Sequence, residues 1–189
     1  MPVLGTIASS TRQGLSTTAF DSIETITVSG SSTQSVSFST ISSAYSTLRI
    51  LYNGNSISQA TDMYIRFNGD SGNNYYWHAN YGLGQSGNAV MIAQTPSNHL
   101  YLGYDGYVAS TVANTIDVYL TDIQDTIKYK TGKYTSGYID TGATGGSFLF
   151  AGGGAWANAS AITSIEFGML NTSTKFRANS TISLYGIKD

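Results

Sequence analysis

No stretch of this chain carries helical periodicity; its apolar residues recur at every second position instead. Met63, Ile65 and Phe67 alternate with Tyr64, Arg66 and Asn68, and Leu48, Ile50 and Tyr52 with Arg49 and Leu51. Ile116, Val118 and Leu120 alternate with Asp117, Tyr119 and Thr121; Ile165, Phe167 and Met169 with Glu166 and Gly168; Ile182 and Leu184 with Ser183 and Tyr185. Ile26 and Val28, and Val36 and Phe38, repeat the pattern more briefly. A period of two sends alternate side chains to opposite faces of a strand, so each strand has one dry face and one wet one. Ile, Val, Tyr, Phe and Thr dominate these runs, and such residues pack well on a pleated surface.

Clusters suited to turns lie between the runs: Ser29–Thr33, Asn53–Ser58, Gly69–Asn74, Gly82–Asn88, Asp105-Gly106, Thr141–Gly146 and Gly152–Gly154. Gly supplies positive φ there, and Asn and Asp tolerate it. The spacing predicts roughly ten short strands in an all-β, two-sheet antiparallel sandwich. A jelly-roll-like connectivity is the first expectation and an immunoglobulin-like one the second, since the pattern alone does not separate them. Residues 1–20 are small and weakly apolar, without a core pattern. They read as an extended N-terminal arm or a frayed terminus, with 21–189 as a single sandwich domain.

Composition narrows the function. Charged residues make up only 11% of the 189 positions, against about 25% in ordinary soluble domains. The net charge of −2 gives no electrostatic reason to bind nucleic acid or an anionic membrane. No segment approaches the ~20 apolar residues of a membrane helix, and Met1 to Gly14 lacks the basic and apolar regions of a signal peptide. With no cysteine, disulfides, thiolate metal sites and cysteine nucleophiles are excluded. Ser and Thr are about a quarter of the chain and do the surface work that charge usually does. Such a surface suits contact with other subunits, where every buried charge would need a partner.

Catalytic machinery is not visible. His78 and His99 stand in no metal-ligand spacing, and no Gly-x-Ser-x-Gly elbow occurs. Both histidines read as ordinary strand or loop residues. Asn68, Asp70 and Asn74 place oxygen donors at alternate positions, as in a calcium loop, but Ala79 stands where an EF-hand needs its bidentate Glu. A hairpin connection is the preferred reading of that segment. Gly145-Gly146 and Gly152-Gly153-Gly154 lack the Lys-Ser/Thr of a phosphate loop and read as turns. No catalytic residue, metal ligand or cofactor is expected. Trp77, Trp156 and Tyr75 are the candidate contacts to a partner or a glycan, with Tyr81, Tyr101, Tyr104 and Tyr107 as possible additions. The competing reading places such aromatics in the core.

Several segments together resemble a group of bacteriophage virion proteins, met mainly in phages of marine and cyanobacterial hosts. They are Ser35-Val36-Ser37-Phe38, Tyr45-Ser46-Thr47-Leu48-Arg49-Ile50, Phe67-Asn68-Gly69-Asp70-Ser71-Gly72-Asn73-Asn74-Tyr75, Ala161-Ile162-Thr163-Ser164-Ile165 and Ser180-Thr181-Ile182-Ser183-Leu184-Tyr185-Gly186-Ile187. The resemblance covers roughly residues 20 to 187. It implies a non-enzymatic particle component, assembled in the host bacterial cytoplasm and carried on the virion. A capsid decoration (cement) protein that bridges major capsid subunits is the leading expectation, and a tail or head-fibre component binding host surface glycan is the alternative. A homo-oligomer is expected, with a trimer favoured because shells offer local three-fold positions.

Overall fold

Burial follows the alternation along the strands. Leu48, Ile50 and Tyr52 are buried on β3 (Tyr45–Gly54), as are Ile116, Val118 and Leu120 on β8 (Asn114–Thr121), while their neighbours reach the surface. The structure is a computed structural model that describes residues 20–58, 60–83, 88–105, 114–140 and 146–188. The expected arm lies outside the described residues except for Phe20, which sits edge-on to Tyr119 at 6.0 Å. Tyr107 and Gly145 also lie outside them.

The described residues form twelve strands, all antiparallel to their neighbours. Besides β3 and β8 they are β1 (Asp21–Thr27), β2 (Ser35–Phe38), β4 (Thr61–Phe67), β5 (Tyr75–Leu83), β6 (Ala89–Ser97), β7 (Leu100–Asp105), β9 (Lys130–Asp140), β10 (Gly146–Trp156), β11 (Ile165–Met169) and β12 (Thr181–Lys188). One sheet runs β1-β12-β3-β8-β9-β10-β5-β6 and the other β2-β11-β4-β7. Set aside β5, β6, β9 and β10, and the remaining eight strands have the order and sheet-to-sheet alternation of a jelly roll, with four strands in each sheet. The fold is therefore an all-β, two-sheet sandwich with jelly-roll connectivity.

The four strands set aside account for what is unusual. They form two hairpins that continue the larger sheet past β8, where the smaller sheet has already ended at β7. Half of the eight-stranded sheet thus overhangs its partner. Strand β7, at the edge of the smaller sheet, packs against β9, β10 and β5 of this overhang.

Sequence reading placed Gly152–Gly154 in a turn, and the structure corrects this: all three lie inside β10. They are small because large neighbours cross them. A Cβ on Gly154 would come within 2.3 Å of Leu100 and 2.2 Å of the Tyr76 carbonyl, and one on Gly152 within 2.6 Å of the Tyr134 ring. Gly82 and Gly146, assigned to turn clusters as well, are also strand residues.

Two polar fastenings hold the sandwich. Asp105 ends β7 in one sheet, and its carboxylate accepts from the Tyr52 hydroxyl at 3.0 Å and from the Asn114 amide in the other. Lys130, 1% exposed, donates from Nζ to the carbonyls of Asp125, Lys128 and Ala159. It ties the 122–128 connection to the segment after β10.

Candidate ligand-binding cleft

Where the edge of the smaller sheet meets the inner face of the overhang, the residues are aromatic. On β5, Trp77 and Tyr81 face inward; on β10, Phe148 and Phe150; on β9, Tyr138. The register sets them side by side: Phe150 is opposite Tyr81 and Phe148 opposite Tyr138. Tyr138 and Phe148 stack with centroids 4.7 Å apart at 11°, and Tyr81 and Phe150 lie 5.1 Å apart. Ile92 and Gln94 of β6 extend this floor. The facing wall comes from the smaller sheet: Tyr101 and Tyr104 of β7, His99 just before it, Asp62 of β4 and Leu170 after β11.

Together they enclose a cleft of about 590 Å³, within the ~300–1,000 Å³ range of small-ligand sites. A second hollow of about 310 Å³, bounded by Thr61 and Asn171, shares Asp62, Tyr104 and Leu170 with it. Asp62, Tyr104 and Leu170 thus stand where the two meet, and the pair forms one groove.

Electrostatics in the groove are simple. Asp62 is its one charged lining residue among those described. Its carboxylate accepts no hydrogen bond from any described residue, and burial raises its pKa. Burial also raises the Tyr101 pKa, with the Asp62 charge as the next cause, and it does the same for Tyr104 and Tyr134. Burial, then the Arg66 charge, brings His99 down to about 4, so its ring is neutral at physiological pH. His99 Nδ1 lies 2.7 Å from the Asn98 side-chain oxygen. Arg66 is not in the wall. It pairs with Glu166 at 3.6 Å and donates to the Asn98 carbonyl.

Trp77 carries one more feature. It is 7% exposed and stacks on Tyr101 at 4.6 Å, and its indole N–H is buried with no hydrogen-bond partner. A buried donor left unpaired costs about 1–3 kcal/mol.

No protein-family model matches this chain, and no curated protein does. Among solved structures, an alginate lyase in complex with an alginate trisaccharide aligns over 82% of this chain and 80% of that one, at 8% identity and a TM-score of 0.27. A likeness that slight carries no argument about this chain's chemistry.

The three candidate contacts read from the sequence separate. Trp77 is in the cleft wall. Tyr75 and Trp156 are core residues, 0% and 1% exposed, stacked on each other at 6.4 Å, so neither offers a face to a partner. Alternation along β5 puts Tyr75 and Trp77 on one face, and that face is the inward one. Tyr81, Tyr101 and Tyr104 do line the cleft. Asp62, Tyr138, Phe148 and Phe150 carried no sequence signal of a site, because only the overhang brings them together.

The oxygen-rich loop after β4 is a structural joint. The Asp70 carboxylate accepts from Gly72 N–H, the Asn74 amide and Trp156 Nε1. Asn68 Oδ1 accepts from the backbone of Thr163 and Ser164. The side-chain oxygens proposed as cation donors at Asn68 and Asp70 are thus taken up internally. Among the described residues, no group of three or more His, Asp or Glu is arranged to hold a metal ion.

Proposed function

We propose that this chain is a non-enzymatic bacteriophage virion component that binds glycan on the host surface. The aromatic groove under the overhang carries this reading. Flat apolar rings suit the C–H faces of sugars, and a few polar groups among them suit hydroxyls. The described residues that line the groove include one carboxylate, whereas glycoside hydrolysis uses two across the scissile bond. The resemblance to virion proteins supplies the setting. A glycan array probed with purified protein tests the reading, alongside Tyr104→Ala at the groove rim. Binding that Tyr104→Ala abolishes at unchanged melting temperature supports it; an array without a single binder sinks it.

A specific observation favours capsid decoration as the second reading. The outer face of the overhang carries exposed Ala89, Ala93 and Ala151, with Met91 79% and Leu149 67% exposed. Such a face fits a capsid neighbour or a further copy of this chain, a trimer being the preferred form. Shells assembled with and without the protein, compared for their bursting temperature, test decoration. Light scattering tests self-association.

A further inference from the structure

We propose that the sugar bound in this groove carries a free amine, so that the groove selects cationic amino sugars over N-acetylated and acidic ones. This rests on the glycan-binding reading above.

The argument starts with Asp62. It is the one charge among the described lining residues, it is partly buried, and no described residue donates to it. Partial removal from water disfavours a carboxylate, and no described residue compensates it. The surrounding rings add to the same potential, because aromatic faces are negative. Trp77, Tyr101 and Tyr104 line the groove with Asp62, and among the described residues no lysine or arginine does. An acidic sugar would bring a second carboxylate to this place with nothing to neutralise it. A neutral sugar would stack and donate hydroxyls, leaving the charge in place. An ammonium would neutralise it and donate up to three hydrogen bonds.

Calorimetric titration near neutral pH and low ionic strength tests this with three probes of equal length. They are a glucosamine oligosaccharide, its N-acetylated counterpart and an oligouronate. The amine-bearing probe is expected to bind about tenfold more tightly than the acetylated one, and the oligouronate most weakly. Asp62→Asn should remove the preference for the amine while leaving the acetylated probe's affinity unchanged. Equal or tighter binding of the acetylated or acidic probe overturns the inference, as does a preference that survives in Asp62→Asn, and both leave glycan binding standing. Binding of none of the probes, or of any glycan on an array, overturns both.

Discussion

The indole N–H of Trp156 donates to the Asp70 carboxylate at 2.7 Å, joining the end of β10 to the loop that follows β4. The same carboxylate accepts from Asn74 and Gly72, so one side chain closes the connection from β4 to β5, which crosses from one sheet to the other rather than turning the expected hairpin, and fixes a core tryptophan. Partial burial disfavours the Asp70 charge, but the three hydrogen bonds outweigh it and hold its pKa below the ordinary value. A lowered pKa means stability that is present above the unfolded value and lost as pH falls through the folded one. Asp70→Ala should cost about 1–3 kcal/mol in urea denaturation at neutral pH, and the difference from wild type should shrink in acid.

Because these oxygens are already committed, calcium should leave the protein unmoved. Melting curves in excess calcium and in excess chelator are expected to superimpose. A calcium-dependent rise would show that the loop opens to take the ion.

Asp105 behaves in the opposite sense. Burial raises its pKa to about 7, against the hydrogen bonds from Asn114 and Tyr52, which lower it. Between the ordinary value of 3.8 and that raised one, the folded state holds a proton that the unfolded chain has released. Its contribution to stability is therefore complete below the unfolded pKa and is lost as pH rises through the folded one. The loss is on the order of a few kcal/mol. Asp105→Asn should flatten this part of the stability profile, as read from denaturant midpoints across the range.

Lys130 is held by three backbone carbonyls rather than by a carboxylate. Lys130→Met retains the packing of the stem but leaves those carbonyls without their donor. A loss of at least about 2 kcal/mol is expected, with faster hydrogen exchange in the 122–128 connection.

Two glycines on neighbouring strands should respond differently. Gly154→Ala drives a methyl into Leu100 and the Tyr76 carbonyl beside Trp77, and overpacking of this kind costs about 1–3 kcal/mol. Nothing lies within 4 Å of a Cβ on Gly82, so Gly82→Ala should change stability by no more than about 0.5 kcal/mol. Thermal melts of the two variants check this directly.

The sandwich was legible where alternation was strong. Leu48 to Tyr52 and Ile116 to Leu120 announce buried strands without any help from tertiary structure. Strand β10 was not legible, because Gly152–Gly154 look like a turn until Tyr134 and Leu100 are seen lying across them. The jelly-roll connectivity was one of two expectations, since alternation reports which face is dry and not which strand pairs with which. The cleft was the least legible part. Trp77 and Tyr138 are distant in sequence, and only the continuation of one sheet past the other makes them neighbours. Tyr75 and Trp77 share a face of β5, yet one is under the smaller sheet's end and the other beside the opening.

The overhang is also only one backbone thick. Phe148 and Phe150 line the groove while Leu149 between them faces outward, and Ile92 and Met91 divide in the same way. The panel that would receive sugar and the panel that would receive a neighbouring subunit are the front and back of the same partition. Seating a subunit behind it would stiffen the groove's floor, so attachment to the particle and grip on the host would reinforce each other through a wall with no interior of its own.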